Sequence, residues 1–147
     1  MHQKPQDFIA CKINIKIMDI REIMRKDRFA AMLGIELLEA SDGKAKAKLE
    51  IKDEHLNAID IAQGGAIFSL ADLAFAAASN SHGNIAVAIN ANISFVKAAG
   101  KGILFAEAVE TSLNNRIATY TINITNSQGE LIACFQGMVY RKKEAIH

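Results

Sequence analysis

The segment "HLNAIDIAQGGAIFSLADLAFAAASN", from His55 to Asn80, decides the fold, because most of it has the composition of a long apolar helix. From Gly65 to Ala78 no side of that helix is polar enough to face water, so other structure should wrap it. Its many alanines allow a neighbouring backbone to approach closely. One acid, Asp72, interrupts the apolar run.

An ionised side chain at Asp72 is costly in apolar surroundings unless it is paired, hydrogen-bonded or reached by water. No Lys, Arg or His lies within one helical turn of it. A structural interpretation, in which Asp72 bonds to Ser69 or to a loop amide, stays open. The functional interpretation is that burial raises the pKa of Asp72 and makes it a base near neutral pH.

Two glycines, Gly64 and Gly65, stand at the predicted start of this helix. The first amides of a helix lack an intrahelical acceptor and lie at the positive end of its dipole, so they are able to hold a developing oxyanion. A plain turn is the alternative. Gly64 and Asp72 are eight residues apart in the sequence, about 12 Å along a helix, which is too far for both to act on one carbonyl. Antiparallel helices from two chains would bring them together, which predicts an obligate dimer.

The rest of the chain predicts an N-terminal helix, a hairpin and four further strands. "IMDIREIMRKDRFAAMLG" places Ile17, Ile20 and Met24 at helical spacing, and Gly34 suits the end of that helical region. After the turn at Ser41-Asp42-Gly43 a strand alternates lysines with apolar residues, and the lysine row is interpreted as a solvated face. Four later strand-like runs predict an antiparallel meander, and hence an α+β fold whose long central helix is wrapped by a curved sheet.

Length and charge limit the possible functions. The 147 residues suit one main domain at 33–147 after an N-terminal extension with a helix at 1–32. The formal net charge of +1 argues against binding to nucleic acid or to a membrane surface. No apolar segment has the length of a membrane span and no signal pattern is present, so we expect a cytoplasmic protein. Cys11 and Cys134 alone predict neither a disulfide framework nor a metal site.

The order of motifs resembles that of a known family. The chain has "HLN", a Gly-Gly pair, "AIFSLAD" and "AFAAASN", followed by "ISFVKAA" and "GELIACFQGMVYR". This order is similar to that of the hotdog-fold acyl-CoA thioesterases of the phenylacetate-degradation (PaaI) type, over residues 33–141. The resemblance implies a hotdog thioesterase domain, a homodimer that joins its sheets, pairing of dimers into a homotetramer, and an acyl-CoA substrate. No cofactor and no metal are expected.

The resemblance also implies roles for the residues at matching positions. Asp72 matches the catalytic carboxylate, Gly64 the amide that polarises the thioester carbonyl, and Asn57 an asparagine near the thioester. Gln63 stands where the family usually has an orienting histidine, and it is unable to carry a charge. The substrate-binding residues expected beside them are Gln63, Gly65, His55 and Asn90.

Three assignments keep alternatives. His55 has a purely structural role as its alternative. Some family members place a serine on the strand after the helix, where this chain has Ala88, and Asn90 or Asn92 is a candidate replacement. The phosphates of coenzyme A need cations, and the candidates are Lys97, Lys101, Arg116, Arg141, Lys142 and Lys143.

The sequence thus predicts hydrolysis of an acyl-CoA thioester, with Asp72 as base or nucleophile and Gly64 N–H as oxyanion donor across a dimer interface. The first alternative is a non-catalytic protein that binds acyl-CoA or an acyl chain in a sensing or regulatory role, because Gln63 and Ala88 depart from the family pattern. The second is a hotdog dehydratase, which would normally need a histidine beside its acid. The central helix has none.

Overall fold

The computed structural model describes residues 19–147, in which helices pack on one face of a single sheet. The helices are α1 (Ile20–Met24), α2 (Arg28–Leu33) and α3 (Gly64–Asn80). The strands are β1 (Glu36–Ser41), β2 (Lys44–Ile51), β3 (Asn84–Phe95), β4 (Gly102–Leu113), β5 (Ile117–Asn126) and β6 (Leu131–Ala145). All paired strands are antiparallel, so the predicted α+β architecture is confirmed.

Helix α3 forms the centre of the core, as predicted, and extends slightly beyond the predicted range at both ends. Its Phe75 packs against Tyr120 and Phe135, with ring centroids 5.7 Å and 5.5 Å away. Gly137 of β6 faces the same ring, and a Cβ placed there would lie 2.5 Å from Phe75 Cζ. A glycine in the sheet therefore allows the aromatic ring of the helix to lie against the strand backbone.

The β1–β2 hairpin also forms as predicted. Asp42 and Gly43 have φ values of 50° and 77°, which a two-residue hairpin turn requires to match the twist of its strands. The apolar residues of β2 are buried, while its lysines point towards solvent, where Lys46 pairs with Glu107 of β4. The lysine row is therefore the solvated face of the sheet.

The order of strands across the sheet is β1-β2-β4-β5-β6-β3. Strands β4, β5 and β6 form a meander, but β3 pairs with β6, so the predicted four-strand meander is wrong at its first connection. That connection is not a hairpin, because Val96 and Lys97 N–H donate to Ile132 O and Ala99 O accepts Ala62 N–H. These bonds hold segment 96–101 across the sheet end, beside the start of α3.

The N-terminal helix predicted from the sequence is two short helices. Asp19 and Asp27 cap α1 and α2, each by accepting a backbone N–H from the turn that follows it. Because Asp27 bonds to the next turn, a new helix starts there instead of continuing from α1. Gly34 ends α2 with a φ of 84°, as expected. Ile17 and the rest of residues 1–18 of the predicted extension lie outside the described residues.

Strand β3 is the last strand of the sheet and has a neighbour on one side. It is 12 residues long, and its Val87 and Ile89 are 40% and 53% exposed. A bulge interrupts its pairing between Ala88 and Asn90. A long edge strand with exposed apolar side chains is a template for pairing with another chain.

Candidate active site

Gln63 caps α3 and makes the amides of the two following glycines different, because it bonds to one of them. Its Oε1 accepts the Gly65 N–H, and its carbonyl accepts the N–H groups of Ala66 and Ile67. Within residues 19–147 the Gly64 N–H has no acceptor. The Gly64 amide is thus the open donor at the positive end of the helix. The amide of Gly65 is occupied by Gln63, and a contact between Gly65 and substrate stays a prediction.

Asn57 shapes the loop that leads into α3. Its Oδ1 accepts the N–H groups of Ile59 and Ile61 at 3.0 Å and 3.3 Å, and its own N–H donates to Ile61 O at 2.8 Å. These bonds fix the orientation of the side-chain amide. Its Nδ2 has no acceptor in the described part of the chain, so it is available to a ligand.

An apolar cavity of about 340 Å³ opens beside the start of α3. Asn57, Gly64, Ile67 and Phe95 contribute to its wall. Phe95 is 52% exposed, and its Cζ would lie 3.1 Å from a Cβ placed on Gly64. The other lining residues are Ile61, Ala62, Val96, Lys97, Ala98 and Ala99. The cavity suits an apolar group that carries a carbonyl next to a backbone donor.

Asp72 lies on a stripe of α3 that the sheet leaves uncovered. Gly65, Ser69, Asp72 and Ala76 follow one another at helical spacing, and all are exposed or half-exposed in the single chain. The prediction that its own sheet buries Asp72 is therefore wrong, because the sheet covers only one side of the helix. The Ser69 hydroxyl donates to Gly65 O at 2.6 Å, so it does not form the bond to Asp72 that was the structural alternative.

The surroundings of Asp72 nevertheless disfavour its charged form. Desolvation by neighbouring atoms, followed by the negative charge of Asp27, raises the pKa of Asp72. Neither a hydrogen bond nor an opposite charge from residues 19–147 offsets these effects. An acid with a raised pKa and no stabilising partner is typical of functional sites.

His55 makes structural hydrogen bonds, which support its structural alternative, and its contact with substrate stays a prediction. The ring is 4% exposed, its Nδ1 accepts the Lys52 N–H at 2.9 Å, and its Nε2 donates to Leu33 O at 2.8 Å. Its carbonyl accepts the Gln63 N–H at 2.8 Å. Both ring nitrogens are occupied, so His55 joins the end of α2 to the loop before α3.

Asn90 does not join this cavity in the single chain. It pairs with Met138 of β6, whereas Ile93 pairs with the core residue Phe135. Because side chains alternate along a strand, Asn90 lies on the face of the sheet turned away from α3. Asn92 shares that face. A role for Asn90 in substrate binding stays a prediction.

A second group of titratable side chains, which was not predicted from the sequence, lies beyond the other end of α3. Glu110 Oε2 accepts the Tyr120 hydroxyl at 2.6 Å and lies 2.6 Å from His82 Nε2. Partial burial raises the pKa of Glu110, but the bonds from Tyr120 and His82 outweigh it and leave this pKa below its usual value. Burial and the bond to Glu110 raise the pKa of Tyr120. The three residues are far apart in sequence, so no spacing could have revealed them.

Between residues 19 and 147, no three or more His, Cys, Asp and Glu side chains are placed to hold a metal ion. No helix in this part of the chain is long and apolar enough to span a membrane. Cys134 is a half-buried free thiol.

Comparison with known proteins agrees with this fold. The family model of the thioesterase superfamily matches residues 61–133, which contain α3 and strands β3 to β5. A protein of Archaeoglobus fulgidus, which carries the name "Putative esterase", is 48% identical over 127 residues. The match covers 85% of this chain and 82% of the relative. The acyl-coenzyme A thioesterase PaaI of Escherichia coli is 35% identical over 116 residues, 78% of this chain and 83% of the relative.

Solved structures of PaaI proteins have the same fold as this chain. The E. coli PaaI protein superimposes with a TM-score of 0.82 at 33% identity, over 86% of this chain and 92% of that one. A variant of the phenylacetic acid degradation protein PaaI from Thermus thermophilus gives a TM-score of 0.76 at 38% identity, over 79% of this chain and 100% of that one. The chain therefore belongs to the thioesterase superfamily, as a hotdog-fold thioester hydrolase of the PaaI type.

Proposed function

We propose that the chain hydrolyses acyl-CoA thioesters in a site shared by two copies, with Gly64 of one copy and Asp72 of the other acting on one thioester. The observation that carries the proposal is the open Gly64 amide beside an apolar cavity. The acyl-coenzyme A thioesterase name of the E. coli relative supports coenzyme A as the thiol.

The Gly64 N–H is the donor for the oxyanion. Attack on the thioester carbonyl moves negative charge onto its oxygen, and a backbone donor at the positive end of a helix stabilises that charge. Gly64 is suited to this because its N–H is open, whereas Gln63 occupies the next amide. Asn57 Nδ2, on the same cavity, would hold the substrate in position.

Asp72 of the partner subunit has two possible roles in the attack on the thioester, as a base or as a nucleophile. As a base it takes a proton from water, whose oxygen bonds to the carbonyl carbon; the C–S bond then breaks and the thiolate of coenzyme A recovers the proton. As a nucleophile its carboxylate attacks the carbonyl carbon, the C–S bond breaks and releases the thiolate of coenzyme A, and water then hydrolyses the acyl-enzyme anhydride to the free acid and the carboxylate. A raised pKa favours the first role, because it makes the carboxylate a stronger base.

The free edge of β3 supports a dimer that completes this site. Two β3 edges that pair antiparallel would extend the sheet across both chains and place their α3 helices side by side. The uncovered stripe with Asp72 would then face the partner's α3 instead of solvent. The site needs this arrangement, because Gly64 and Asp72 are at different positions along one helix.

Replacement of Gly64 by proline tests the oxyanion donor. Gly64 is the first residue of α3, where proline is tolerated, and the extended backbone of Gln63 suits a residue before proline. The change removes an N–H that no residue between 19 and 147 accepts, so folding should persist while kcat falls by about 10²–10³-fold. Gly64→Ala is the matched control, because it adds a similar Cβ near Phe95 but keeps the N–H, and its loss of kcat should be much smaller. Equal losses in both variants would argue against the donor role.

Mixed dimers test whether two chains share the site. Asp72→Asn should lower kcat by about 10²–10⁴-fold, and Gly64→Pro should do so separately. A dimer of one Asp72→Asn chain and one Gly64→Pro chain retains one intact shared site, so about half of the parent activity should return. No recovery in purified mixed dimers would refute a shared site. Tight binding of acyl-CoA by the parent without turnover would instead support the non-catalytic alternative.

A further inference from the structure

A basic cavity of about 370 Å³ lies near the far end of α3, at the opposite end of the sheet from Gly64. Four of its six lining residues are cations and the other two are neutral amides. The lining residues are Asn84, Asn115, Arg116, Arg141, Lys142 and Lys143. Since the whole chain has a net charge of only +1, this is a local concentration of positive charge that a polyanion would neutralise.

The cations of this cavity differ in their ion pairing from Lys97 and Lys101, the two other candidates that the sequence gave for binding the phosphates of coenzyme A. Lys97 pairs with Glu130 and Lys101 pairs with Asp53, so both already have carboxylate partners. In the described part of the chain, Arg116, Lys142 and Lys143 have no such ion pair.

Arg141 is held differently from the other cations of the cavity. Its Nη1 donates to Asn114 O at 2.8 Å, which fixes the guanidinium at the β4–β5 turn. The charge of Arg141 contributes to lowering the pKa of Glu110, whose carboxylate is bonded to Tyr120 and His82. Arg141 therefore supports the cavity wall through its bond to Asn114.

The position of β3 connects this basic cavity with the apolar one. Its first residue, Asn84, lines the basic cavity, and its last residue, Phe95, lines the cavity with Gly64. Within one chain, α3 separates the two cavities by about 25 Å, the length of a helix of 17 residues. If two β3 edges pair antiparallel, the Asn84 end of one strand lies beside Phe95 of the partner subunit. The two cavities then adjoin across the interface.

We propose that the basic cavity binds the phosphate groups of coenzyme A for the thioester site of the partner subunit, an inference that rests on the proposed function. Phosphate oxygens accept charge-assisted hydrogen bonds from Arg and Lys, and the guanidinium of Arg116 offers a bidentate contact. The acyl group and thioester occupy the apolar cavity of one chain, and the nucleotide end of the ligand occupies the basic cavity of the other.

Two variants test this cavity: Arg116→Gln and the double variant Lys142→Gln/Lys143→Gln. Arg141 is left in place because its bond to Asn114 supports the turn. The control is Lys48→Gln, which removes one charge from the solvated face of β2, where Lys48 pairs with Glu36. Thermal unfolding of each variant establishes that it is folded.

The measurement compares an acyl-CoA with the S-acyl-pantetheine of the same acyl group, which has the thioester but no nucleotide phosphates. In the two cavity variants the ratio of the KM for acyl-CoA to the KM for S-acyl-pantetheine should rise about tenfold. Added salt should raise the same ratio in the parent. Lys48→Gln should leave it unchanged. An unchanged ratio in the cavity variants, or an equal rise in KM for both thioesters, would overturn the proposal.

A binding measurement keeps this inference distinct from the proposed function. If the parent hydrolyses no thioester, the proposed function fails, and titration calorimetry with free coenzyme A and with pantetheine still tests the cavity. The proposed role of the basic cavity would be supported if the parent binds coenzyme A more tightly than pantetheine and the cavity variants lose this difference. Equal binding of the two by the parent, or equal binding of coenzyme A by parent and variants, would overturn it.

Discussion

Asp72 has a raised pKa although its side chain is open to solvent in the single chain. Desolvation by atoms beside it acts together with the charge of Asp27, which lies in the segment between α1 and α2. The sequence identified the acid, because a charge within an apolar run is visible in a pattern. It did not predict the exposure, because which side of a helix the sheet covers depends on packing between distant segments.

The charge of Asp27 should set part of the pH dependence of hydrolysis. Asp27→Asn keeps the side-chain oxygen that caps α2 but removes a negative charge that raises the pKa of Asp72. The acidic limb of the profile of kcat/KM against pH should therefore move to lower pH. Asp19→Asn, the same change at the cap of α1, is the control and should leave the limb in place. An unmoved limb in Asp27→Asn would contradict an effect of the Asp27 charge on the group that titrates.

Asp72 should also reduce the stability of the fold near neutral pH. Its folded-state pKa lies above the unfolded value, so its favourable contribution is complete below the unfolded pKa and is lost as pH rises through the folded pKa. Asp72→Asn is therefore expected to raise Tm at about pH 7, and the difference should shrink below about pH 4, where both forms are neutral. Thermal unfolding against pH measures this. Lower stability of the variant at neutral pH would instead indicate a structural bond to Asp72.

At the scale of elements, α3 was predictable because its signals are local. Apolar composition, a Gly-Gly start and the polar residues after Ala78 gave its range to within a few residues. The role of Gln63 as the cap of α3 was not predicted, since its sequence position indicated only a replacement for the family histidine and a contact with substrate. The partner of β3 was mispredicted for a different reason. A short connection suggested a hairpin, whereas bonds to Ile132 and Ala62 hold that connection across the sheet end.

The contact between α3 and β6 should depend on the absence of a side chain at Gly137. In Gly137→Ala the new Cβ would lie 2.5 Å from Phe75 Cζ, within a ring that is 1% exposed and unable to move freely. Overpacking of this kind costs about 1–3 kcal/mol of unfolding free energy. Gly100→Ala is the control, because no atom lies within 4 Å of its added Cβ. Denaturant unfolding should show a lower midpoint for Gly137→Ala, and equal midpoints would mean that the ring relaxes without cost.

At the scale of the whole molecule, the sequence alone predicts a dimer, because one helix is unable to bring Gly64 and Asp72 to the same carbonyl. The structure adds a surface that would allow it, the 12-residue free edge of β3. The class of fold followed from element types and from the family resemblance. The strand order did not, because it is decided by contacts between residues far apart in the chain.

Charges on the β3 edge should separate the subunits and abolish hydrolysis together. In the double variant Val87→Asp/Ile89→Asp, carboxylates replace two exposed apolar side chains on the free edge, where they would face the same strand of a second copy. We expect a monomer by light scattering and at least a hundredfold loss of kcat/KM, equivalent to about 2.7 kcal/mol. Val109→Asp, at a 47% exposed position of β4, is the control and should retain the dimer. An active monomer would exclude a shared site.

Strand β3 begins at the basic cavity and ends at the apolar one, so the length of the strand sets the distance between the two cavities. Adding or deleting two residues keeps the alternation of its two faces but changes its length by about 7 Å. Insertions or deletions in this strand, rather than exchanges in a cavity wall, would then favour ligands whose acyl and phosphate ends are farther apart or closer together.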